Sequence, residues 1–270
     1  MKEEKKEEIV EVINLTKKFG DFIAVNSISF KVKKGQIFAL LGPNGAGKTT
    51  TIKMLTTLLK PSSGKLKIGG FDPVSQQDSV RNIFSIVFQD PSLDEELTAY
   101  ENMEFHAVFY NVPKNVRQKR IEYLLKFVEL WDRRNSLVKT FSGGMKRRLE
   151  IARGLTHHPK ILFLDEPTIG LDPQTRSHIW KYIKTLNKKE KMTVFMTTHY
   201  IEEAERIADK VAVIDEGKII EIGSPHELMK ITKTKTLEQA FLKLTGKKIR
   251  EEEASPRDMA RIRARMWGRR

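Results

Sequence analysis

Gly42-Pro-Asn-Gly-Ala-Gly-Lys-Thr49 is the stretch that decides the fold of this 270-residue sequence. It fits the pattern G-x-x-x-x-G-K-[ST], follows a continuous apolar run over 37–41 and leads into a helical pattern over 50–55. Its glycines let successive backbone N–H groups point inward, and the helix N-terminus adds positive potential, so the loop suits an anion. The stretch predicts an α/β fold with a P-loop NTPase core that binds a nucleotide.

Two side chains of this loop have distinct predicted roles. The Lys48 ammonium is expected to reach the β- and γ-phosphates, and the Thr49 hydroxyl is expected to bind Mg²⁺. A chance glycine-rich turn is the alternative, and the flanking strand and helix argue against it. The residues expected to contact the nucleotide are Gly42, Pro43, Asn44, Gly45, Ala46, Gly47, Lys48, Thr49 and Thr50.

Two carboxylates end a second buried strand, Ile161-Leu-Phe-Leu-Asp165-Glu166. Asp165 is a candidate Mg²⁺ ligand beside Thr49, because ligands collect at the carboxyl edge of such a sheet. Glu166 is a candidate for orienting or deprotonating a water that attacks the γ-phosphate. The alternative for Glu166 is a salt-bridged or capping acid before Pro167.

A third strand, 193–198, ends in His199. Its side chain is expected at the same edge of the sheet as the two carboxylates. A lone histidine is usually structural, and that interpretation stays the alternative.

The rest of the sequence predicts further parts of the domain. Apolar and polar residues alternate over 9–15 and 22–32, which predicts an antiparallel edge and an N-terminal antiparallel β subdomain. Helical patterns over most of 90–158 predict an inserted α-helical subdomain between strands of one sheet. A hairpin over 211–222 and a capped helix start at Ser224 follow.

These patterns divide the chain into three segments. We expect residues 1–8 to be a disordered N-terminus and residues 9–230 to be the P-loop domain. Residues 231–270 are expected to be a C-terminal extension that ends in a basic tail over 257–270. This tail carries six arginines and one aspartate.

The composition excludes several kinds of site and leaves the partner open. The absence of cysteine excludes disulfides, thiolate zinc sites and a cysteine nucleophile. The apolar runs are too short to span a bilayer, and the charged start does not resemble a secretory signal. The net charge of +14 admits nucleic acid, an anionic membrane surface or a phosphorylated ligand.

The segment Phe141-Ser-Gly-Gly-Met145 opens the third helical stretch of the insertion. Ser142 is expected to cap that helix, and the glycines expose its first amides to an approaching anion. An ordinary capped helix is the alternative. With this segment the sequence resembles the nucleotide-binding subunits of ATP-binding cassette (ABC) transporters, whose signature is usually Leu-Ser-Gly-Gly-Gln.

The resemblance covers about residues 9–225 and rests on six motifs in the family's order. They are the Walker A loop over 42–49, the Q-loop glutamine Gln89, the signature Ser142-Gly-Gly144, the Walker B end at Asp165 and Glu166, the D-loop Gly170-Leu-Asp172 and the switch histidine His199.

The resemblance implies ATP and Mg²⁺ as cofactors. It implies catalytic roles for Glu166, His199 and Gln89, and Mg²⁺ ligands at Thr49, Gln89 and Asp165. It also implies further nucleotide contacts by Phe19, Ser142, Gly143, Gly144 and Asp172. The ring of Phe19 would stack on adenine, although by its position alone it is as consistent with the core of the first sheet.

Two departures from the family pattern indicate which branch of the ABC transporter family the sequence resembles. Met145 replaces the signature glutamine, and Ile169 replaces the usual D-loop serine. Both leave the carboxylates and the phosphate-facing Ser-Gly-Gly intact, so the resemblance still implies an active enzyme. Phe-Ser-Gly-Gly-Met and the stretches 89–102 and 237–246 resemble the branch that serves drug and polysaccharide exporters.

The resemblance also implies partners and a location. The integral-membrane permease subunits would be separate chains, and a second copy or a paralogous cassette would close head-to-tail with this one. The chain would then lie on the cytoplasmic side of the cell membrane as a peripheral protein. Met259, Ile262 and Met266 share one helical face in the tail, so the tail is either solvated charge or an amphipathic helix that contacts anionic lipid or an acidic partner.

Two rival functions are weighed against the transporter. A soluble ABC ATPase acting on nucleic acid or ribosomes would fit the +14 charge. Such relatives usually carry two cassettes or a long coiled coil, whereas this sequence has one Walker A motif and no sustained heptads. A P-loop kinase of a small metabolite would leave Ser142-Gly-Gly144 and the paired carboxylates unexplained.

Overall fold

The computed structural model describes residues 7–246. Its strands are β1 (Glu8–Phe19), β2 (Phe22–Lys33), β3 (Ile37–Leu41), β4 (Ser63–Ile68), β5 (Phe84–Val87), β6 (Ile161–Asp165), β7 (Thr193–Thr198), β8 (Lys210–Asp215) and β9 (Lys218–Gly223). Its α-helices are α1 (Lys48–Leu55), α2 (Gln77–Arg81), α3 (Ala99–Phe109), α4 (Lys114–Phe127), α5 (Gly143–Gly154), α6 (Pro173–Glu190), α7 (Ile201–Ile207), α8 (Pro225–Thr232) and α9 (Leu237–Thr245).

The strands form two sheets. The larger has the order β5-β6-β7-β3-β8-β9 and is parallel except for the hairpin of β8 and β9. The smaller is antiparallel with the order β2-β1-β4. Because β6, β7 and β3 are neighbours, the segments that follow them meet at one edge of the larger sheet.

Strand β3 shows why the central strands are apolar throughout. Ile37, Ala39 and Leu41 pack into a core shared with the helices, whereas Phe38 and Leu40 pack into a core shared with the smaller sheet. A strand covered on both faces buries every side chain, so it reads as a continuous apolar run rather than an alternating one. The predicted α/β fold with a P-loop core is confirmed.

The two predicted subdomains are confirmed with changes of detail. The strands β1 and β2 form an antiparallel sheet of their own with β4, rather than an edge of the larger sheet, and β4 was not predicted. The inserted helices α3, α4 and α5 lie between β5 and β6, as expected for residues 90–158.

The predicted boundaries of the domain require two corrections. Glu8 begins β1, and the carbonyl of Glu7 accepts a hydrogen bond from the backbone of Lys34, so the predicted disordered segment 1–8 extends too far. Residues 1–6 lie outside the described part. The boundary predicted after residue 230 falls inside α8. Helix α9, which lies beyond that boundary, still belongs to the domain, because its Phe241 is buried in the core that the helices share.

The basic tail at 257–270 lies outside the described residues. Within 7–246, no helix combines the length and the apolar character that crossing a membrane requires.

Candidate active site

The loop between β3 and α1 can follow its path only with glycine at particular positions. Gly47 has a φ of +99°, and a Cβ there would lie 2.6 Å from the carbonyl oxygen of Ala24. A Cβ on Gly42 would lie 2.2 Å from the carbonyl oxygen of Ile214. Both contacts are with backbone, which cannot move aside as a flexible side chain would. Helix α1 begins at Lys48, two residues before the predicted helical pattern.

Lys48 is buried at the start of α1, with 4% of its surface exposed. Its Nζ donates to the carbonyl oxygens of Gly42 and Pro43, at 2.8 and 3.0 Å. It also forms an ion pair of 3.0 Å with Oε1 of Glu166. The lysine predicted to contact phosphate therefore lies beside the carboxylate predicted to activate water.

Glu166 is held in a conformation that few non-glycine residues adopt. Its φ is +47°, and its backbone N–H donates to the side-chain and backbone oxygens of Thr197, at 3.1 and 3.2 Å. Backbone strain of this kind persists where the surrounding contacts fix it, and it concentrates at functional sites. The salt bridge weighed as an alternative for Glu166 is present, and its partner is Lys48.

His199 contacts the second oxygen of the same carboxylate. The distance from its Nδ1 to Oε2 of Glu166 is 3.0 Å. Burial opposes ionisation of Glu166, but the hydrogen bond from His199 and the charge of Lys48 outweigh it and lower the pKa of Glu166 to about 2. The structure thus brings the predicted lysine, glutamate and histidine together as one buried cluster.

Asp165 has a different environment from its neighbour. Its Oδ1 accepts hydrogen bonds from the hydroxyls of Thr49 at 3.2 Å and Thr197 at 2.6 Å. Burial raises the pKa of Asp165, although these two hydroxyls oppose the shift. Adjacent carboxylates with pKa values shifted in opposite directions are typical of sites that assign them different chemical roles.

The donor set fits Mg²⁺ bound together with phosphates. Among residues 7–246, no group of three or more histidine, aspartate or glutamate side chains could hold a metal ion. Mg²⁺ usually takes only one or two protein ligands, with phosphate oxygens and water completing its octahedron. The Thr49 hydroxyl and the Asp165 carboxylate, hydrogen-bonded to each other, satisfy this requirement.

Ser142 and Asp172 each cap a helix on a neighbouring surface. The side chain of Ser142 accepts from the backbone N–H of Met145 at the start of α5, and that of Asp172 accepts from Thr175 at the start of α6. The two helix starts are close, because a Cβ on Gly144 would lie 2.6 Å from Cγ2 of Thr175. Within the described residues, no hydrogen bond or ion pair joins either cap to the Lys48 cluster.

Gln89 and Phe19 also stand apart from the cluster. Gln89 is exposed in the segment between β5 and α3. Phe19 is the last residue of β1 and is 49% exposed. Strand β1 forms a hairpin with β2, and Ala24 of β2 lies beside Gly47 of the loop. The exposure of Phe19 fits a surface that receives a planar ligand better than it fits a core position.

Sequence reasoning missed two polar residues at this edge of the sheet, of which Thr197 contacts both predicted acidic residues directly. Thr197 bonds both Asp165 and Glu166, and the buried carboxylate of Glu203 accepts hydrogen bonds from Thr168 and Thr198, at 2.5 and 3.0 Å. The sequence did contain a signal for these contacts, because Thr197 and Thr198 end the otherwise apolar part of β7. A buried hydroxyl requires a hydrogen-bond partner, so these threonines predict polar contacts at this end of the strand.

Comparisons with known proteins agree with this geometry. A family model described as ABC transporter matches residues 25–169. The linearmycin resistance ATP-binding protein LnrL of Bacillus subtilis (strain 168) is 42% identical over 215 residues, covering 80% of this chain and 69% of that protein. The Nod factor export ATP-binding protein I of Ralstonia nicotianae is 42% identical over 221 residues, covering 82% and 68%.

Solved structures give the same result. One described as the ATP-binding subunit of an ABC transporter has a TM-score of 0.79 and 28% identity, covering 88% of this chain and 99% of that one. A dimeric ATP-binding cassette in a post-hydrolysis state, bound to ADP and Pi, has a TM-score of 0.71 and 30% identity, covering 80% and 98%.

Proposed function

Because this chain belongs to the ABC transporter family, we propose that it is the ATP-binding and ATP-hydrolysing subunit of a membrane exporter. The observation that carries the hydrolase function is the buried cluster of Lys48, Glu166 and His199 beside Thr49 and Asp165. The export function is supported by relatives named for Nod factor export and linearmycin resistance. None of these names supports the nucleic-acid alternative.

The chemistry follows from the two partners of Glu166. When ATP binds, Lys48 is the group placed to contact the β- and γ-phosphates, so it leaves Oε1 of Glu166. Without that cation the pKa of Glu166 rises, which makes the carboxylate a stronger base toward a water. His199 stays hydrogen-bonded to Oε2 of Glu166 and so fixes the direction in which Oε1 points.

The remaining nucleotide contacts are proposed on the family's pattern. Thr49, Asp165 and Gln89 would hold Mg²⁺, which supplies charge neutralisation on the phosphates when bound. Phe19 would stack on the adenine. The backbone N–H groups of residues 42–50 would surround the phosphates, since they lie at a helix N-terminus.

The variant Glu166→Gln tests the catalytic role. It should retain ATP binding but slow hydrolysis by roughly 10²–10⁴-fold, the usual weight of a general base, because the amide cannot accept a proton. ATP should then accumulate in a stable dimer that gel filtration resolves from the monomer.

Glu190→Gln is the matched control. Glu190 forms a bidentate ion pair with Arg120, with both contacts at 2.8 Å, in a place remote from the cluster. Its turnover should stay close to that of the parent. Near-normal turnover of Glu166→Gln would contradict the assignment of the base.

The dimer is proposed to be head-to-tail. Ser142 and Gly143 are exposed at the N-terminus of α5, where the unpaired amides and the helix dipole favour an anion. Each ATP would lie between the P-loop of one copy and Ser142-Gly-Gly144 and Asp172 of the other. Loss of the γ-phosphate removes that bridging contact, so the dimer opens after hydrolysis.

The membrane partner is proposed to be a permease on a separate chain, which would place this chain at the cytoplasmic face. Phe105, Val108 and Phe109 are exposed on α3, and Phe109 has 81% of its surface accessible. A cluster of large exposed apolar side chains marks an interaction surface. Replacing Phe105 and Phe109 by serine should release the chain from native membranes, whereas Ile231→Ser on α8, which is 59% exposed in the parent, should not.

Identifying the integral protein that copurifies from native membranes tests this partner directly. Copurification that is equal for both variants would contradict the proposed surface. The basal ATP hydrolysis of the purified chain should be the same in both, because these side chains lie outside the cluster.

A separate proposal concerns anionic lipid and the C-terminal tail. Six arginines over 257–270 would each contribute on the order of 1 kcal/mol near an anionic surface. Deleting 255–270 should leave basal hydrolysis intact and weaken flotation with anionic vesicles in a salt-sensitive way. Equal binding with and without the tail, at low and high salt, would leave the tail as solvated charge.

A further inference from the structure

Three charged side chains lie along one face of α5, at intervals of three residues. They are Arg147, Glu150 and Arg153, and all three contact the segment 88–92 between β5 and α3. Positions three apart on a helix lie on the same side, so the three form one continuous contact with that segment. The segment contains Gln89.

The contacts hold the backbone of the segment and also the side-chain hydroxyl of Ser92, which bonds both Glu150 and Arg153. Arg147 donates from Nη1 to the carbonyl of Phe88 at 2.5 Å and from Nη2 to the carbonyl of Gln89 at 2.7 Å. Oε1 of Glu150 accepts from the backbone N–H of Ser92 at 2.7 Å. Arg153 donates from Nη1 to the carbonyl of Ser92 at 2.8 Å. The backbone is therefore fixed on both sides of the exposed Gln89 side chain.

Two of these side chains form a buried ion pair. Arg147 and Glu150 are 5% and 2% exposed, and Nη1 lies 3.0 Å from Oε2. A buried ion pair often stabilises a fold no better than apolar residues of the same volume. Its main consequence here is geometric, since each member of the pair also forms hydrogen bonds with the segment.

The same helix begins at the residues proposed to face the ATP of the other copy. Ser142 and Gly143 lie at its N-terminus, slightly more than one turn before Arg147. We propose that Arg147 and Glu150 are positioning residues that make the Gln89 segment and the N-terminus of α5 one rigid unit. This inference rests on the proposed head-to-tail dimer. It means that ATP bound beside Gln89 in one site orients Ser142 toward the other site.

The test separates nucleotide binding from dimer formation. In a Glu166→Gln background, the double variant Arg147→Met/Glu150→Leu removes both charges together, so neither is left buried without its partner. ATP affinity of the dilute monomer should change by less than about threefold, because the P-loop is intact. The ATP-driven dimer should weaken roughly tenfold or more, the weight of one or two charge-assisted hydrogen bonds.

A matched control distinguishes positioning from general destabilisation. Arg120→Met/Glu190→Leu removes another arginine–glutamate pair, partly buried, which joins α4 to the end of α6 and has no hydrogen bond to residues 88–92. This variant should lower the melting temperature to a similar extent and leave the dimer affinity within about threefold of the parent. Equal weakening of the dimer in both double variants would reduce Arg147 and Glu150 to a structural role.

A second readout measures the rigid unit itself. The sequence has no cysteine, so a pair introduced at the exposed residues Lys139 and Lys65 would give unique labels on the helical insertion and on the smaller sheet. ATP should change the distance between the labels in the parent and should leave it unchanged in Arg147→Met/Glu150→Leu. The same ATP-induced change in both would overturn the inference.

Failure of the inference is distinguishable from failure of the proposed function. A Glu166→Gln parent that stays monomeric with ATP overturns the head-to-tail dimer, and the inference with it. A parent that dimerises, together with an Arg147→Met/Glu150→Leu variant that dimerises equally well, overturns the inference alone.

Discussion

The two halves of the proposed ATP site differ in how completely one chain builds them. At the edge of the larger sheet, Lys48 and Glu166 are 4% and 7% exposed and contact each other directly. At the start of α5, Ser142 and Gly143 are exposed, and Asp172 at the start of α6 is exposed as well. The first half is assembled inside the fold, whereas the second is a surface that points away from it.

This difference suggests a division of labour between copies. We propose that the buried cluster, whose charged groups are already paired with one another, binds phosphate and activates water. An exposed helix N-terminus can bind an anion only when another molecule presents one. Each half therefore predicts its own response to mutation, and those responses can be measured separately.

Lys48→Ala should produce the largest effect of the variants considered, because it lowers both the ATP affinity and the stability of the buried half. Loss of the charged contact should lower ATP affinity by roughly 10–100-fold. Loss of the ion pair leaves Glu166 buried without its cation, which should lower the free energy of unfolding by roughly 3 kcal/mol. Isothermal titration with ATP and urea unfolding measure the two effects.

Lys48→Ala/Glu166→Gln separates these effects. The double variant should recover stability without recovering affinity, because the uncompensated charge is gone and the phosphate contact is still missing. Lys139→Ala, at an exposed surface ion pair, is the control and should change neither quantity appreciably. Unchanged ATP affinity in Lys48→Ala would contradict the assignment of the phosphate-binding lysine.

Acid should weaken the buried half over a defined range of pH. The pKa of Glu166 is lowered from 4.5 to about 2 in the folded chain, so its ionised form stabilises the fold above about pH 4.5. That stability is lost as pH falls through 4.5 toward 2. The difference in unfolding free energy between the parent and Glu166→Gln should therefore shrink over this range.

Asp165 acts in the opposite direction, since its pKa is raised. It is present in both chains of this comparison, so its contribution largely cancels in the difference, although removing the Glu166 charge also makes the pKa of Asp165 less raised. Urea unfolding at several pH values between 6 and 3 provides the measurement. A difference that stays constant over that range would contradict the lowered pKa.

Substitutions in the exposed half should lower the free energy of unfolding less than those in the buried half. Ser142→Ala removes a helix cap and should lower the free energy of unfolding by about 1 kcal/mol. Ser224→Ala removes a similar cap at the start of α8, with a bond of 3.2 Å from the backbone of Glu227, and should have a similar effect. Only Ser142→Ala should also weaken the ATP-driven dimer. Equal dimer affinities in the two variants would remove Ser142 from the proposed interface.

The parts of the fold with strong local signals were predictable from sequence. The P-loop, the buried strands that end at Asp165 and His199, and the cap at Ser142 each depend on residues close together in the chain. Strand β4 was missed because its Ser-Gly-Lys-Leu-Lys-Ile sequence buries only Leu66 and Ile68, and its partner β1 lies far away in sequence. The start of α6 also has a strong local signal, since Asp172 caps the helix and Pro173 is its first residue.

The contacts that tune the site were beyond the sequence for a physical reason. The Lys48–Glu166 pair and the bonds of Thr197 join residues that belong to different elements of the fold, and spacing along the chain does not encode which atoms meet. The contacts of Arg147 and Glu150 with residues 88–92 also join parts of the chain that are far apart in sequence, so they could not be predicted from spacing either. A run of basic residues after the signature indicated charge, but gave no sign that one arginine was buried.

Mixing two inactive variants tests most directly whether the ATP site is shared between copies. Lys48→Ala disables the buried half and Ser142→Arg disables the exposed half, so each homodimer has no intact site. A mixed dimer of the head-to-tail kind has one site with both halves intact. An equal mixture should therefore recover up to about a quarter of the wild-type hydrolysis rate, since half of randomly formed dimers are mixed and each has one of two sites. A mixture that stays inactive, while each variant is folded and dimerises with wild type, would contradict the account.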